Sequence, residues 1–164
     1  MKNNTTFSTL QLTTLVTLRF LIGWHLLYEG LSKLLNPGWS AAGFLSESQW
    51  IMSGVAQWIT SNSGVLSVAD FLNTWGLIAI GAGLIVGLFT RTAAIAGAGL
   101  LLIYYFNNAP IIGIEYSVPS EGNYLIVSKT LIEAVALFVL AVFPTGTIIG
   151  LDVLVARFKN RKNK

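Results

Sequence analysis

Three ionisable side chains follow one another at four-residue spacing inside an apolar stretch near the start of the chain. They are His25, Glu29 and Lys33, within RFLIGWHLLYEGLSKLL. Residues four apart lie on the same face of an α-helix, so these side chains form a ladder along one face. Histidine and glutamate can donate and accept protons, and lysine can stabilise negative charge on an oxygen atom. The ladder therefore indicates acid–base or binding chemistry.

A second pair of opposite charges has the same spacing in a later apolar stretch. Lys129 and Glu133 are four residues apart, and Arg19 precedes the first ladder. A charge at the centre of a bilayer costs at least about 2.5 kcal/mol, so such groups pair, face the bundle interior or serve function. One interpretation is structural: Glu29 pairs with Lys33, Lys129 pairs with Glu133, and Arg19 bonds to backbone carbonyls or to Glu133. The other is a binding or proton-handling pocket where the two polar faces meet.

Aromatic side chains and the composition restrict which cofactors such a pocket could hold. Trp24 and Tyr28 adjoin the ladder, where they pack against lipid or core or contact a flat redox ring. The chain has no cysteine, which excludes disulfides, thiolate metal sites and thioether-attached haem. With His25 as its single histidine, we expect no metal site and no haem.

The composition indicates an integral membrane protein. Of the 164 residues, 54% are hydrophobic and only 10% are charged, whereas about 25% of the residues of a soluble domain are charged. Five of the ten basic residues lie in the last eight, RFKNRKNK, which fits a basic cytoplasmic tail over 151–164 better than a nucleic-acid site. The lipid bilayer is thus the first expected partner, and no nucleic acid is expected.

Four segments are predicted to cross the membrane, which makes the fold an all-α integral membrane protein with a four-transmembrane-helix bundle in a single domain, 1–164. A hydrocarbon core needs about 20 apolar residues in a helix. The first segment lacks a small-residue cleavage site, so we interpret it as a retained helix and not as a signal peptide. The predicted spans are about 10–35, 68–90, 92–107 and 123–143. Small residues in the second and third spans are expected to let helices approach closely.

The first loop between spans is predicted to contain an amphipathic interfacial helix over about 46–60. Ser46 could cap this helix, with Gln49 three residues on. Trp50 and Trp58 recur at helical spacing, and tryptophan suits the headgroup region. The segment could equally be a lid over an opening in the bundle or a docking surface for another protein.

Charge near the span ends predicts the orientation. One side carries Lys2, Arg91 and the basic tail, whereas the two longer loops carry Glu47, Glu115 and Glu121 without lysine or arginine. Positive charge favours the cytoplasmic side. Both termini are therefore expected in the cytoplasm.

Several short motifs together resemble the DoxX family of small four-helix bacterial membrane proteins, over the whole chain. They are Arg19-x3-Gly23 with Gly30-x2-Lys33, then Gly83-Leu84-x2-Gly87-Leu88-x-Thr90-Arg91, and Gly150-Leu151-Asp152. The matched positions are Arg19, Gly30, Lys33, Arg91 and Asp152. The resemblance implies a bacterial inner membrane protein, in a family that includes the quinone-linked subunit type called DoxD and membrane partners of redox or detoxifying enzymes. Without cysteine, a sulfur relay through a protein thiol is excluded.

The resulting hypothesis is a redox-associated subunit with a pocket for a quinone-like small molecule in the outer half of the bundle. Such a protein could be a subunit of a quinone-linked oxidoreductase. His25, Glu29 and Glu133 are the expected catalytic residues. The expected cofactor-binding residues are Arg19, Lys33, Lys129, Trp24 and Tyr28. Because no electron carrier is encoded, electrons would come from a protein partner, and a homo-oligomer is the other expected assembly. The alternatives are a non-enzymatic anchor or assembly subunit of an envelope complex and a small transporter, which would need to dimerise to form a path.

Overall fold

The computed structural model of the protein describes residues 7–111, 113, 116 and 123–162, and this part of the chain is mostly helical. Lys2, Glu115, Glu121 and Lys164, which entered the orientation prediction, lie outside the described residues. The elements are α1 Thr9–Leu34, α2 Ala42–Ser46, α3 Ser53–Ser61, α4 Ser63–Val86, α5 Thr90–Asn107, β1 Asn123–Tyr124, β2 Val127–Ser128, α6 Lys129–Val142, a 3₁₀ turn Thr145–Thr147 and α7 Asp152–Lys162.

Three described helical segments are long and apolar enough to cross a membrane. They are Thr9–Leu34, Ser63–Val86 and Lys129–Thr147, the last of which joins α6 to the 3₁₀ turn. These correspond to the first, second and fourth predicted spans. The 18-residue helix α5 is not among the three, and polar residues near both its ends, Arg91 and Asn107, reduce its hydropathy. The chain is thus an all-α membrane protein, and its fourth span stays a prediction.

The four long helices form a ring of neighbours in the order α1, α4, α5, α6. Helix α1 packs along α4, and α5 packs along α6, whereas α1 and α6 touch over a much smaller area. Leucine and alanine side chains from all four helices form the buried core, with Leu26, Leu77, Leu84 and Leu137 almost fully enclosed. The α1–α6 contact is therefore the loosest edge of the bundle.

The bundle has two ends, which we name after residues found there. The Asp152 end contains the start of α1, the α4–α5 turn, the 3₁₀ turn and Asp152. The Lys33 end contains the last turn of α1, the start of α4 and the last turn of α5. Consecutive long helices run in opposite directions between these two ends.

Glycines let α1 and α4 approach closely. A Cβ atom on Gly81 would collide with the backbone of Leu27, and one on Gly30 would lie 2.8 Å from a side-chain carbon of α4. Close backbone approach is how helices gain van der Waals contact in lipid. By contrast, Gly76 and Gly99, which were expected to serve the same purpose, meet open space. The closest glycine contacts thus join α1 to α4, whereas the sequence analysis considered only the small residues of the second and third spans.

The turn between α4 and α5 lies a few residues earlier than predicted. Gly87 has a φ of 68° and ends α4 in the left-handed conformation, and Phe89 follows with a φ of 48°. Left-handed glycine is the usual way to end a helix. Arg91, which was expected in the turn, is instead the second residue of α5. Correspondingly, α4 begins at Ser63, five residues before its predicted start near 68.

The fourth predicted span begins later than 123 because a small hairpin precedes it. Strands β1 and β2 pair in antiparallel register, with Tyr124 opposite Val127. Helix α6 then begins at Lys129, where the hydroxyl of Ser128 accepts a hydrogen bond from the backbone N–H of Leu131 at 3.2 Å. The helix ends at Val142 before Pro144, as the sequence predicted.

The segment predicted as one helix over 46–60 contains parts of two helices, α2 and α3. Ser46 is the last residue of α2 and not an N-cap, because its hydroxyl donates back to the carbonyl of Gly43 at 2.8 Å. Trp58 on α3 is exposed. Whether α3 lies on the membrane surface stays a prediction.

Candidate functional site

A small cavity opens at the Lys33 end of the bundle, between α1, α4, α5 and the segment that follows α1. Its volume is about 250 Å³. This is slightly below the roughly 300 Å³ at which pockets for drug-sized ligands begin, so its size suits a single ring. The cavity is lined by Glu29, Lys33, Trp39, Ala41, Phe44, Asn73 and Tyr104.

The ammonium group of Lys33 is the charged centre of this cavity. Its Nζ lies 3.0 Å from Glu29 Oε1 and donates a hydrogen bond to Asn73 Oδ1, also at 3.0 Å. The same nitrogen lies 4.9 Å from the ring centroid of Trp39 and 5.5 Å from that of Tyr104, within cation–π range. Lys33 is nine-tenths buried, so surrounding side chains and not water hold its charge. The predicted pairing of Glu29 with Lys33 is confirmed.

Asn73 and Tyr104 extend the network from α4 to α5. Asn73 Nδ2 donates to the Tyr104 hydroxyl oxygen at 2.6 Å, while Asn73 Oδ1 accepts from Lys33. An asparagine amide can do both because its oxygen accepts and its nitrogen donates. The Tyr104 hydroxyl accepts from Asn73, so its own hydrogen remains for a further acceptor. Lys33 and Tyr104 are therefore two donors around one small space.

The segment after α1 closes one side of the cavity and is fixed at two points. The backbone N–H of Ala41 donates to Asp70 Oδ1 at 2.7 Å, and Asn107 Nδ2 donates to the carbonyl of Phe44 at 2.9 Å. The Phe44 ring meets Tyr104 edge-on, with the ring centroids 5.5 Å apart. These contacts hold aromatic surface over the polar network.

His25 and Glu133 meet at the loose α1–α6 edge. His25 Nδ1 and Glu133 Oε1 are 2.8 Å apart, which joins the polar ladder of the first helix to the last long helix as the sequence indicated. Glu133 is mostly buried, but the His25 side chain is 59% exposed. Glu29, one helical turn further along the same face of α1, lines the cavity, so the ladder leads from this pair to the cavity.

Trp24 and Tyr28 do not line the cavity. They are 56% and 64% exposed on the outer surface of α1. Each immediately precedes a ladder residue, His25 or Glu29, and is therefore rotated about 100° from it around the helix. The structure thus separates these aromatic rings from the polar groups that they adjoin in sequence. Trp39 and Tyr104 provide the aromatic surface instead.

Lys129 is also outside the cavity. It is the first residue of α6 and is exposed. Its four-residue spacing from Glu133 follows from the helix, and Glu133 contacts His25. The structure therefore does not bring Lys129 together with Lys33.

Arg19 belongs to a different cluster, towards the Asp152 end. It is 3% exposed, and its Nη1 donates to the hydroxyl of Thr145 at 3.0 Å. Fourteen residues separate it from Lys33, or roughly 21 Å along a helix, so the two cannot share a small ligand. The sequence predicted Arg19 as a cofactor-binding residue or a partner of Glu133; the structure instead holds it against Thr145 and the glycine turn at Gly87.

Asp152 completes this second cluster by tying the C-terminal segment to the α4–α5 turn. Its carboxylate accepts backbone hydrogen bonds from Phe89 at 2.6 Å and Thr90 at 3.0 Å, and its own N–H donates to the carbonyl of Gly87 at 2.9 Å. A carboxylate at the first residues of α5 is also favoured by the helix dipole. The motifs around Arg19, Gly87 and Asp152 are far apart in sequence but meet in one cluster of contacts, which fixes the C-terminal segment against the α4–α5 turn.

Sequence reasoning missed Trp39, Asn73 and Tyr104. Asn73 is a polar residue in the middle of the apolar helix α4, and that signal alone could have identified it as buried and bonded. Tyr104 and Trp39 carry no comparable signal, because aromatic residues are common near membrane interfaces. Among the described residues, no group of three or more His, Asp or Glu side chains could hold a metal ion.

The model of one protein family, DoxX, matches residues 14–107 of the chain. The match covers more than half of the chain and includes most of α1 and all of α4 and α5, with every cavity-lining residue. Neither the curated proteins nor the solved structures include a match to this chain.

Proposed function

The chain belongs to the DoxX family of membrane proteins, and from this premise we propose that it is a redox-associated subunit that binds a quinone-like ring in the cavity at its Lys33 end. The observation that carries the proposal is the arrangement of Lys33. A mostly buried ammonium group lies beside a ring-sized space, between two aromatic rings and next to the Tyr104 hydroxyl.

The donor set suits a ring that carries carbonyl oxygens. Lys33 has three N–H donors, of which two point to Glu29 and Asn73. The third donor and the Tyr104 hydroxyl can bond carbonyl oxygens, and the faces of Trp39 and Phe44 can pack against an apolar ring. A fixed positive charge in a mostly buried position stabilises negative charge that develops on such an oxygen.

A bound quinone would accept two electrons and two protons. The protein supplies groups for the protons but encodes no electron carrier, so we propose that a partner protein supplies the electrons. Glu133 and His25 share a hydrogen bond, and Glu29, one helical turn from His25 on α1, lines the cavity. These three carboxyl and imidazole groups form a series of proton-exchanging sites, whereas Lys33 and Tyr104 hold the ring.

The proposed topology is a four-span bundle in the bacterial inner membrane, with both termini in the cytoplasm and the cavity in the outer half. The packing of α5, antiparallel to α4 and along α6, supports a fourth span beside those of its neighbours. Arg91 and Arg157 lie at the Asp152 end, and positive charge favours the cytoplasmic side.

Ligand binding is tested in a background protein, taken here as wild type, in which the four tryptophans other than Trp39 are replaced by phenylalanine. A quinone that enters the cavity then quenches the fluorescence of Trp39 alone. Purified protein in detergent is titrated with a benzoquinone that has a short tail. Wild-type protein should show saturable quenching. Tyr104→Phe removes one hydrogen bond and should weaken binding roughly 2- to 10-fold. Tyr28→Phe is the matched control, because Tyr28 is on the lipid side, and it should bind like wild type.

Two results would count against the proposal. If wild-type protein shows no saturable quenching, the cavity is not a quinone site. If Tyr28→Phe and Tyr104→Phe weaken binding equally, the quinone binds elsewhere.

A second candidate function is a non-enzymatic anchor for an envelope protein. It is favoured by the exposed aromatic and aliphatic side chains near α3, among them Trp50, Ile51, Val55 and Trp58. In this case Trp50→Ala with Trp58→Ala should release a co-purifying protein, whereas Glu29→Gln and Glu133→Gln should not. The opposite pattern would remove the anchor hypothesis.

A further inference from the structure

A long apolar groove lies between the first half of α1 and the last turn of α6. Its volume is about 590 Å³, and its lining includes Leu10, Thr14 and Leu15 on one wall and Val139 and Phe143 on the other. It opens along the loose α1–α6 edge, on the surface that the hydrocarbon layer would cover.

The polar residues in this groove are satisfied locally and present little polar surface. The Thr14 hydroxyl donates to the carbonyl of Leu10 at 2.9 Å. Gln11 Oε1 accepts from the backbone N–H of Ser8 at 2.9 Å as part of the N-terminal cap of α1. The groove therefore offers a surface for hydrocarbon, and no charged group that would recognise a phosphate.

Residues on one side of α1 lead from this groove towards the cavity. Thr14, Leu18, His25 and Glu29 are spaced by four, seven and four residues, so they lie along the same side of the helix. Glu29 lines the cavity, and Thr14 lines the groove. Fifteen residues of helix cover roughly 22 Å, which is within reach of a long isoprenoid chain. The His25–Glu133 hydrogen bond lies across this side of α1, towards the Lys33 end.

We propose that the groove binds the hydrocarbon tail of the same molecule whose ring occupies the cavity. This inference rests on the proposed function, which it deepens: the ligand is a quinone with a long isoprenoid tail and not a short, water-soluble one. A phospholipid acyl chain in the groove is the alternative occupant, and it would leave wild type without a preference for the long-tailed quinone. The ring enters from the bilayer between α1 and α6, and the tail stays in the groove.

The test compares short-tailed and long-tailed quinones on a variant with a filled groove. Thr14→Trp places a large side chain in the groove. Thr13→Trp is the matched control, because Thr13 makes the equivalent hydrogen bond, to Thr9, but does not line the groove. Each protein is placed in lipid nanodiscs, and the fraction of protein that retains each quinone is measured by native mass spectrometry against the mole fraction of that quinone.

Wild-type protein and Thr13→Trp should bind the long-tailed quinone about tenfold more tightly than the short-tailed one. Thr14→Trp should lose this preference while its affinity for the short-tailed quinone stays unchanged. Val139→Trp should have the same effect from the opposite wall, and Val135→Trp, on the exposed face of α6, is its control. This second pair keeps the test valid if Thr14→Trp does not fold.

The outcomes distinguish the two proposals. If the short-tailed quinone binds wild type but Thr14→Trp and Val139→Trp keep the preference for the long tail, the groove is not the tail site and only this inference fails. If wild type shows no preference, the inference fails in the same way. If neither quinone binds wild type, the proposed function fails as well.

Discussion

Arg19 and Thr145 are 126 residues apart in sequence, yet the guanidinium Nη1 donates to the threonine hydroxyl at 3.0 Å. This bond joins α1 to the turn that follows α6. The cation is almost fully buried, close enough to Asp152 for electrostatic attraction. Within the described part of the chain, Arg19 Nε has no hydrogen-bond partner. Such a charge in a membrane protein is costly, so it is retained for structure or function, and its contacts indicate structure.

Replacement of Arg19 by alanine should therefore destabilise the bundle without changing ligand affinity directly. The Thr145 hydroxyl would lose its donor in a buried position, which costs about 1 to 3 kcal/mol. Thermal unfolding in detergent, followed by circular dichroism, should show a lower midpoint for Arg19→Ala. Arg91→Ala is the control, because Arg91 is exposed, and its midpoint should be close to that of wild type. Equal midpoints for Arg19→Ala and wild type would contradict this structural role.

Substitution of Asp152 tests the contact between the C-terminal segment and the α4–α5 turn. Asp152→Asn keeps one acceptor oxygen, whereas Asp152→Ala removes both acceptors from the N–H groups of Phe89 and Thr90. Loss of a helix cap costs about 0.5 to 2 kcal/mol, so stability should fall in the order wild type, Asp152→Asn, Asp152→Ala. Limited proteolysis at the α4–α5 turn should become faster in the same order. If cleavage rates do not change, the carboxylate does not hold the turn.

Much of the fold follows from local sequence signals. The long apolar run of α1 predicted that helix, and Pro144 lies directly after the predicted end of the last span. By contrast, α4 ends at Val86, four residues before its predicted end at 90, because Gly87 was not recognised as the helix end. The Glu29–Lys33 pair was predictable for the same reason, since the helix itself brings residues four apart together. The hairpin before α6 was missed because its two-residue strands are too short to show an alternating pattern.

The contacts between helices in the cavity could not be predicted, because they depend on how the helices pack. Asn73 and Tyr104 are 31 residues apart, and their hydrogen bond exists only because α4 and α5 lie side by side at that height. The same argument applies to Arg19. Its spacing from the ladder suggested a shared site, but its distance along α1 and the return of the C-terminal segment to the α4–α5 turn place it in a separate cluster.

Gly81 tests whether the α1–α4 contact depends on the absence of a side chain. Gly81→Ala would place a methyl group against the backbone of Leu27, and such overpacking costs about 1 to 3 kcal/mol. Gly76→Ala, on the same helix but facing open space, should instead stabilise the helix by about 0.5 to 1 kcal/mol. Unfolding midpoints of the two variants should therefore shift in opposite directions. Shifts in the same direction would mean that helix propensity, and not close packing, explains the glycine at position 81.

Glu133 is the sharpest test of proton delivery, because it lies outside the cavity and contacts His25. Glu133→Gln preserves the shape and a hydrogen-bonding group but removes the exchangeable carboxyl proton. We expect quinone-dependent turnover with the electron-donating partner to be abolished, while the affinity for the short-tailed quinone and the unfolding midpoint stay close to those of wild type. Glu47→Gln makes the same chemical change in the segment between α1 and α4, and it should leave turnover intact. Unchanged turnover in Glu133→Gln would remove this residue from the mechanism, and a loss of binding together with turnover would assign it to the cavity instead.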